Sequence, residues 1–260
     1  MTRTAVVTGG AGGLGRALSG QLRARGWFTA LVDLPGPELE AATGTRRCST
    51  HGCDLTVPDQ LRRTCAEIIA ARPSIDLVIY NAGISQSGAF ADLPCETHRK
   101  VFEINYFAAV DCARAFLPAL RAAGGTHLAI SSVAGFAPLY HRTAYAASKH
   151  ALEGFFKSLR AEEAPHGVGV AIAAPSFIAT NPAVGPAPET GIMRPGSAAD
   201  GIDAMTPEAA ARIILRGLDR GRDHIPVGRV ARMASLLNRL SPALYQREMR
   251  RRIRGRSAAS

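Results

Sequence analysis

The sequence predicts an α/β fold, a doubly wound parallel sheet in a single domain with helices on both faces. Three observations predict it. Apolar runs of strand length alternate with amphipathic stretches of helix length along most of the 260 residues. The runs are near-continuous in Val, Ile, Leu and Ala, as in strands buried on both faces. A glycine-rich turn stands at the first strand–helix junction, where bare backbone lets an anion approach a helix N-terminus.

The elements follow in order. TAVVT (4–8) reads as a buried strand, followed by a helix from about Leu14 to Arg25. FTALVD (28–33) is the second strand, and RCSTHGCDL (47–55) contains a third. A helix falls in 56–72, a fourth strand in 75–83, and one long helix over 96–124. THLAISS (126–132) is the fifth strand; TAYAASKHALEGFF (143–156) starts the next helix, because Lys149, Leu152, Phe156 and Leu159 recur at three- or four-residue steps. VGVAIAAP (168–175) is the sixth strand. TPEAAARIILRGLDR (206–220) is a helix with Thr206 as N-cap and Pro207 at its first position, and HIPV (224–227) is a short last strand.

Bulk properties exclude several classes. The chain is 47% hydrophobic with mean hydropathy near zero, and no stretch approaches the roughly 20 apolar residues of a membrane span. No leader pattern precedes the first strand, so a cytoplasmic location is the expectation. The five cysteines, Cys48, Cys53, Cys65, Cys95 and Cys112, form no CxxC pattern and have no closely spaced His partner. They read as reduced small residues, with neither a disulfide framework nor a metal site expected. His141 stands near the 143–156 helix and can touch a substrate, although a loop histidine is the simpler reading.

The net charge of +10 is concentrated at the end, where residues 229–260 hold nine Arg and one Glu. The body is therefore not a basic nucleic-acid surface, and no nucleic-acid partner is expected. We divide the chain into a dinucleotide-binding and catalytic domain (1–228) and a basic amphipathic C-terminal extension (229–260). Within the domain, residues 181–205 carry four Pro and four Gly. A loop this long at the carboxyl end of the sheet reads as a substrate lid.

In the extension, Val230, Met233, Leu237, Leu240, Leu244, Met249 and Ile253 fall near one helical side. Ser241-Pro242 breaks the stretch into two helices, with Ser241 as N-cap and Pro242 opening the second. Such a helix can contact an anionic membrane surface, or pack on this protein's own lid or on a second subunit.

The chemistry rests on few residues. TGGAGGLG (8–15) places Gly9, Gly13 and Gly15 as G-x-x-x-G-x-G between strand and helix. Cofactor phosphates need this close backbone approach, although glycine turns also arise for packing alone. Asp33 ends the second strand 18 residues after Gly15, with no Arg or Lys among its immediate neighbours. A carboxylate there accepts hydrogen bonds from the ribose hydroxyls of NAD and repels the 2′-phosphate of NADP; the plain alternative is a turn-initiating Asp. Tyr145 and Lys149, four apart, stack on one helical face. A free phenol, with a pKa near ~10, is a poor base at neutral pH, and an adjacent ammonium lowers that value.

The chain resembles the short-chain dehydrogenase/reductase family over about residues 3–227. TGGAGGLG is similar to the family's cofactor turn, which carries over Gly12 and Leu14 as cofactor contacts beside Gly9, Gly13 and Gly15. Asp54-Leu55 resembles the pair that holds the adenine, and Asn81-Ala82-Gly83 the NAG after the fourth strand. Asn105, Ser132, Tyr145 and Lys149 resemble the catalytic tetrad, at steps of 24, 27, 13 and 4 residues from Asn81. Pro175, Ile178 and Thr180 match positions that contact the nicotinamide end; Ser176 departs from the usual Pro-Gly and adds a hydroxyl near the substrate.

The resemblance implies a Rossmann-type fold and roles for the tetrad. Tyr145 is the acid–base, Ser132 holds the substrate oxygen, Lys149 holds the ribose and supports the phenolate, and Asn105 holds a water linking Lys149 to solvent. Ser131 is the alternative to Ser132, and the 13-residue step to Tyr145 favours Ser132.

The expected function is hydride transfer between NAD(H) and a secondary alcohol or ketone. Phe90, Phe136, Leu139, Tyr140, Phe177, Ile192 and Met193 lie in segments that can line an apolar pocket; Phe136, Ser176 and Phe177 join Ser132 and Tyr145 as expected substrate contacts. A homodimer or homotetramer is the expected assembly. The alternatives are an NADPH-dependent ketoreductase acting on acyl or other carbonyl substrates, against which Asp33 argues, and a catalytically silent nucleotide sensor or scaffold.

Overall fold

The computed structural model describes residues 2–180, 185–196, 204–241, 243, 245 and 247. Seven strands form one sheet, ordered β3 (Cys48–Gly52), β2 (Phe28–Asp33), β1 (Thr4–Thr8), β4 (Leu77–Tyr80), β6 (Thr126–Ile130), β7 (Gly169–Pro175) and β9 (His224–Val227). Every adjacent pair is parallel. The order reverses between β1 and β4, where Val6 lies in register with Ala30 on one side and Val78 on the other. That reversal opens the crevice in which doubly wound sheets bind ligands, and it makes the fold Rossmann-like as expected.

The two faces have separate cores. On one, α1 (Gly13–Ala24) and α7 (Pro207–Asp219) bring Leu14, Leu18, Leu22, Ile214 and Leu215 against Val7, Leu31 and Ile79. On the other, α3 (Pro58–Ala71), α5 (Ala108–Ala123) and α6 (Thr143–Glu163) bury Leu61, Ile68, Phe116, Leu120, Leu152 and Phe156 against Val6, Val78 and Ile172. Truncating a fully buried Phe such as Phe116 costs about 3–5 kcal/mol, so these helices are firmly seated on the sheet. Thr206 caps α7 as expected, its hydroxyl accepting from Ala209 N at 3.2 Å.

The expected single helix over 96–124 is interrupted. It comprises α4 (Cys95–Phe102), a π-turn (Glu103–Phe107) and then α5, which ends at Gly124 in the left-handed conformation (φ 58°). A second departure lies in the segment expected as a loop. Ile192–Met193 (β8) pairs antiparallel with Ser85–Gln86 (β5), joining residues 185–196 to the chain just after β4. Residues 181–184 and 197–203 of the expected lid lie outside the described residues. A short helix, α2 (Pro37–Glu40), follows β2.

At the C-terminus, α8 (Arg229–Leu240) stops at Ser241, whose carbonyl accepts from Tyr245 N at 3.1 Å. The expected break therefore falls at Ser241; Pro242, Leu244, Met249 and Ile253 lie outside the described residues. No helix among the described residues is long and apolar enough to cross a membrane.

Candidate active site

The carboxyl ends of the strands converge on one cavity of about 1290 Å³. A single small ligand occupies roughly 300–1,000 Å³, so this space suits a dinucleotide with a substrate beside it. One arm runs past Asp33, Leu34, Asp54 and Leu55, and the other past Leu139, Tyr140, Phe177, Met233 and Leu237; Ser132, Tyr145 and Lys149 line the space as well.

The first arm is built from backbone. Gly9 is left-handed (φ +63°), and a Cβ there would fall 2.8 Å from Ala82 Cα. A Cβ on Gly15 would collide with the Gly9 carbonyl oxygen, so the turn and α1 close together only without side chains. Asn81 ties this turn to β4, its Nδ2 donating to Gly9 O at 2.9 Å and Thr8 O at 3.2 Å. The Thr8 hydroxyl accepts from both Asn81 N (3.1 Å) and Ala82 N (3.2 Å). Asp33 accepts from Ala11 N and Leu34 N, both at 2.9 Å, which holds its carboxylate at the rim of the turn. Asp54 is oriented by Thr56, whose amide (2.9 Å) and hydroxyl (2.7 Å) both donate to it.

Gly9, Gly12, Gly13, Leu14, Asp33, Asp54, Leu55, Asn81, Ala82, Gly83, Pro175, Ile178 and Thr180 all line the cavity, together with Tyr145 and Lys149. Of the expected cofactor contacts, Gly15 alone sits behind the lining, as a packing glycine. The bare cradle, the helix N-terminus behind it and the paired Asp33 and Asp54 fit an adenine dinucleotide.

A cation missed from sequence stands at this end. Arg194 lines the cavity and pairs with Glu38 (3.5 Å), which also lines it. The Glu38 carboxyl is held below its ordinary value by its backbone hydrogen bond and then by Arg194, with Arg16 adding. Arg194 arrives from a segment 161 residues after Asp33, so no local pattern around Asp33 signals it.

At the junction, Ser132 follows β6, and its Oγ accepts from Ala134 N at 3.2 Å. Burial raises the Tyr145 pKa above its ordinary value, opposed by the neighbouring Ser132 hydroxyl and by the Arg142 charge. The Lys149 ammonium does stack with the phenol, 5.9 Å from the ring centre, but it donates to Ile130 O at 2.9 Å. Lys149 is only 5% exposed, and burial pushes its pKa down to about 8, opposed by the Glu153 carboxylate.

Asn105 occupies the π-turn and is buried away from the cavity lining. Its Oδ1 accepts from Ile84 N (2.8 Å), and its Nδ2 donates to Ile84 O (2.9 Å) and Ser148 Oγ (2.9 Å). The Ser148 hydroxyl donates in turn to Tyr145 O at 2.8 Å. In this arrangement Asn105 clamps the strand end to the Tyr145 turn of α6.

Two further groups were not evident from sequence. Arg142 is buried, lines the cavity, and donates from Nη1 to Ser85 Oγ (3.1 Å), Gln86 O (2.8 Å) and Met193 Sδ (2.9 Å). Before it, His141 is left-handed (φ 55°), and Tyr140 stacks on its ring at 3.7 Å. Buried Glu153 accepts from Ser131 Oγ (2.9 Å) and Lys157 Nζ (2.6 Å). Ser131 and Ser132 both line the cavity, and the Ser131 hydroxyl is already engaged by Glu153.

The expected substrate contacts divide. Ser132, Tyr145, Ser176 and Phe177 line the cavity, as do Leu139 and Tyr140. The Ser176 hydroxyl, however, donates to Val227 O at 3.2 Å, so β9 engages it. Phe136 does not line the cavity: it packs under α8 and edge-on to His224 at 5.9 Å, because the turn after Ser132 directs it toward β9. Phe90, Ile192 and Met193 also lie outside the lining.

Comparison with known proteins agrees with this geometry. Residues 3–186 match the short chain dehydrogenase family. The Dehydrogenase/reductase SDR family member 7B of Bos taurus is 34% identical over 267 residues, spanning 96% of this chain and 81% of the relative. The protein of that name from Mus musculus is 33% identical, over 96% of this chain and 80% of the relative.

Among solved structures, a short chain dehydrogenase from Burkholderia cenocepacia in complex with NADP superposes with a TM-score of 0.83 at 24% identity, covering 95% of this chain and 97% of that one. A short-chain dehydrogenase/reductase from Burkholderia phymatum in complex with NAD gives 0.74 at 20% identity, covering 86% and 88%. With the parallel sheet, the glycine cradle and the residues gathered at its mouth, these matches place the chain in the short-chain dehydrogenase/reductase family of NAD(P)-dependent oxidoreductases.

Proposed function

We propose that the protein transfers a hydride between NAD(H) and a secondary alcohol or its ketone, on an apolar substrate. The observation that carries this reading is the meeting of Ser132, Tyr145 and Lys149 in one cavity, between a dinucleotide-shaped arm and an apolar arm. Bound NAD(H) supplies the carbon that accepts or donates the hydride.

The chain's own residues do the rest. Asp33 and Asp54 take the adenosine end, and the Gly9–Leu14 turn takes the diphosphate. Lys149 would hold the hydroxyls of the second ribose. Ser132 donates to the substrate oxygen and aligns it with the phenol. Tyr145 accepts the alcohol proton during oxidation and returns one to the carbonyl oxygen during reduction. A phenol raised by burial is the proton-holding form, so the resting site is poised to donate. Oxidation needs the cationic neighbours Lys149 and Arg142 to stabilise the phenolate.

Asp33 favours NAD over NADP, because its carboxylate repels a 2′-phosphate. Arg194 favours the second reading, an NADPH-dependent ketoreductase, only if Glu38 releases it. The test measures kcat/KM with both cofactors over a panel of apolar alcohols and ketones, for the wild type, Tyr145→Phe and Asp33→Ala. Tyr145→Phe should lose about 10²–10⁴-fold in turnover while still binding NADH, and Asp33→Ala should narrow the NAD preference. Near-wild-type turnover in Tyr145→Phe sinks the acid–base assignment, and a wild-type preference for NADPH sinks the cofactor assignment.

A further inference from the structure

Helix α8 is packed the wrong way round for an isolated soluble protein. Its small residues point inward: Ala231 and Ala234 are buried against Val133 and Ala137. Asn238 fastens the same side, its Nδ2 donating to Phe136 O at 2.7 Å. Leu237 joins that side, but three other large apolar residues point outward, with Met233 72% exposed, Leu236 61% and Leu240 76%. Steps of four, three and four residues put Arg229, Met233, Leu236 and Leu240 on one stripe of the helix. A surface helix ordinarily does the reverse, and a contiguous exposed apolar stripe marks an interaction site.

Three further facts identify the occupant. Met233, Leu236 and Leu240 also form the outer wall of the catalytic cavity, so the stripe is its mouth. Tyr140, another cavity wall, is exposed as well. Arg229 and Arg232 are exposed on the same helix, Arg247 is exposed beyond its end, and residues 229–260 carry nine Arg against one Glu. A second copy docking through the same face would bring two such charge sets together, which is repulsive. An apolar stripe bordered by arginine matches a bilayer surface carrying anionic headgroups.

We propose that the α8 stripe docks this protein on an anionic phospholipid surface, with Met233, Leu236 and Leu240 entering the acyl boundary and the flanking arginines meeting headgroups. The cavity mouth then opens at the lipid, where an apolar alcohol or ketone is dissolved. Only the identity of what enters the cavity rests on the function proposed above; docking is independent of the chemistry.

The test is co-sedimentation of the full chain with vesicles of phosphatidylcholine alone or mixed with phosphatidylserine, at low and high salt. The full chain should bind the mixed vesicles, and more weakly at high salt. The triple variant Met233→Ser/Leu236→Ser/Leu240→Ser, checked for folding by circular dichroism, should lose partitioning by at least about 100-fold, given the transfer free energy of three large side chains. Tyr145→Phe should bind vesicles as the wild type does, even if the catalytic assignment fails. Absence of the full chain from the vesicle pellet overturns the proposal. So does triple-variant binding equal to wild type, or a triple variant whose only change is a smaller oligomer.

Discussion

Replacing Lys149 with methionine should stabilise the fold while it disables the site. The ammonium is buried, and its pKa falls from the ordinary 10.5 to about 8 through desolvation. At about 1.36 kcal/mol per pH unit, that depression corresponds to about 3 kcal/mol of destabilisation when the group is charged. Loss of the hydrogen bond to Ile130 O offsets about 1–2 kcal/mol of the gain.

The sign follows from proton counting. Above about pH 8 the folded protein releases this proton while the unfolded chain keeps it until about 10.5, so the penalty fades as pH rises through that window. Urea unfolding of wild type and Lys149→Met at about pH 7 and about pH 9.5 should show the variant's advantage shrinking by ~2 kcal/mol. An advantage independent of pH would refute the argument, because Lys149 would then not be a desolvated cation. NADH binding and turnover in the same variant should both fall.

Glu153→Gln keeps an acceptor for Ser131 but removes the carboxylate that holds the Lys149 pKa up; the alkaline limb of the kcat/KM–pH profile should move to lower pH, and an unmoved limb would leave Glu153 a purely structural group. Gly15→Ala drives a Cβ into the Gly9 carbonyl, so it should destabilise the fold by about 1–3 kcal/mol and weaken NADH binding, measured by urea unfolding and fluorescence titration. His127 is fully buried, pairs with the Tyr80 hydroxyl at 2.6 Å, and has its pKa lowered by desolvation from 6.5 to about 4. Unfolding lets it take a proton, so stability should fall as pH drops from about 6.5 to about 4, by up to ~3 kcal/mol from this group. Tyr80→Phe/His127→Phe should flatten that part of the curve.

The strands and the glycine turn are legible in the sequence because each rests on a local rule: buried parallel strands need unbroken apolar runs, and the cofactor turn needs glycine at fixed offsets. Tyr145 and Lys149 are legible for the same reason, since one helix carries both. The missed features depend on partners distant in sequence. β5 and β8 are two residues each, too short for any periodicity. Arg194 meets Glu38, and Arg142 meets Met193, only through the tertiary path of residues 185–196. The direction of Phe136 is set by the turn after Ser132 and by α8, and the Ser176 hydroxyl by β9. Helical periodicity in 229–240 shows that α8 is amphipathic, but not which side it turns to the protein. The pairing of alanines with Val133 and Ala137 decides that.

The π-turn at Glu103–Phe107 makes chain length a constraint in this part of the molecule. A π-turn holds an extra residue per turn relative to an α-helix, so α4 and α5 are out of helical phase with each other. Loss of one residue anywhere in the turn would let the two helices merge into one regular helix at little local cost. It would also swing Asn105 by about 100°, away from Ile84 and Ser148 together. The segment can therefore accept changes of residue more readily than changes of residue number, and a one-residue deletion there would do more harm than most substitutions on the exposed face of the same helix.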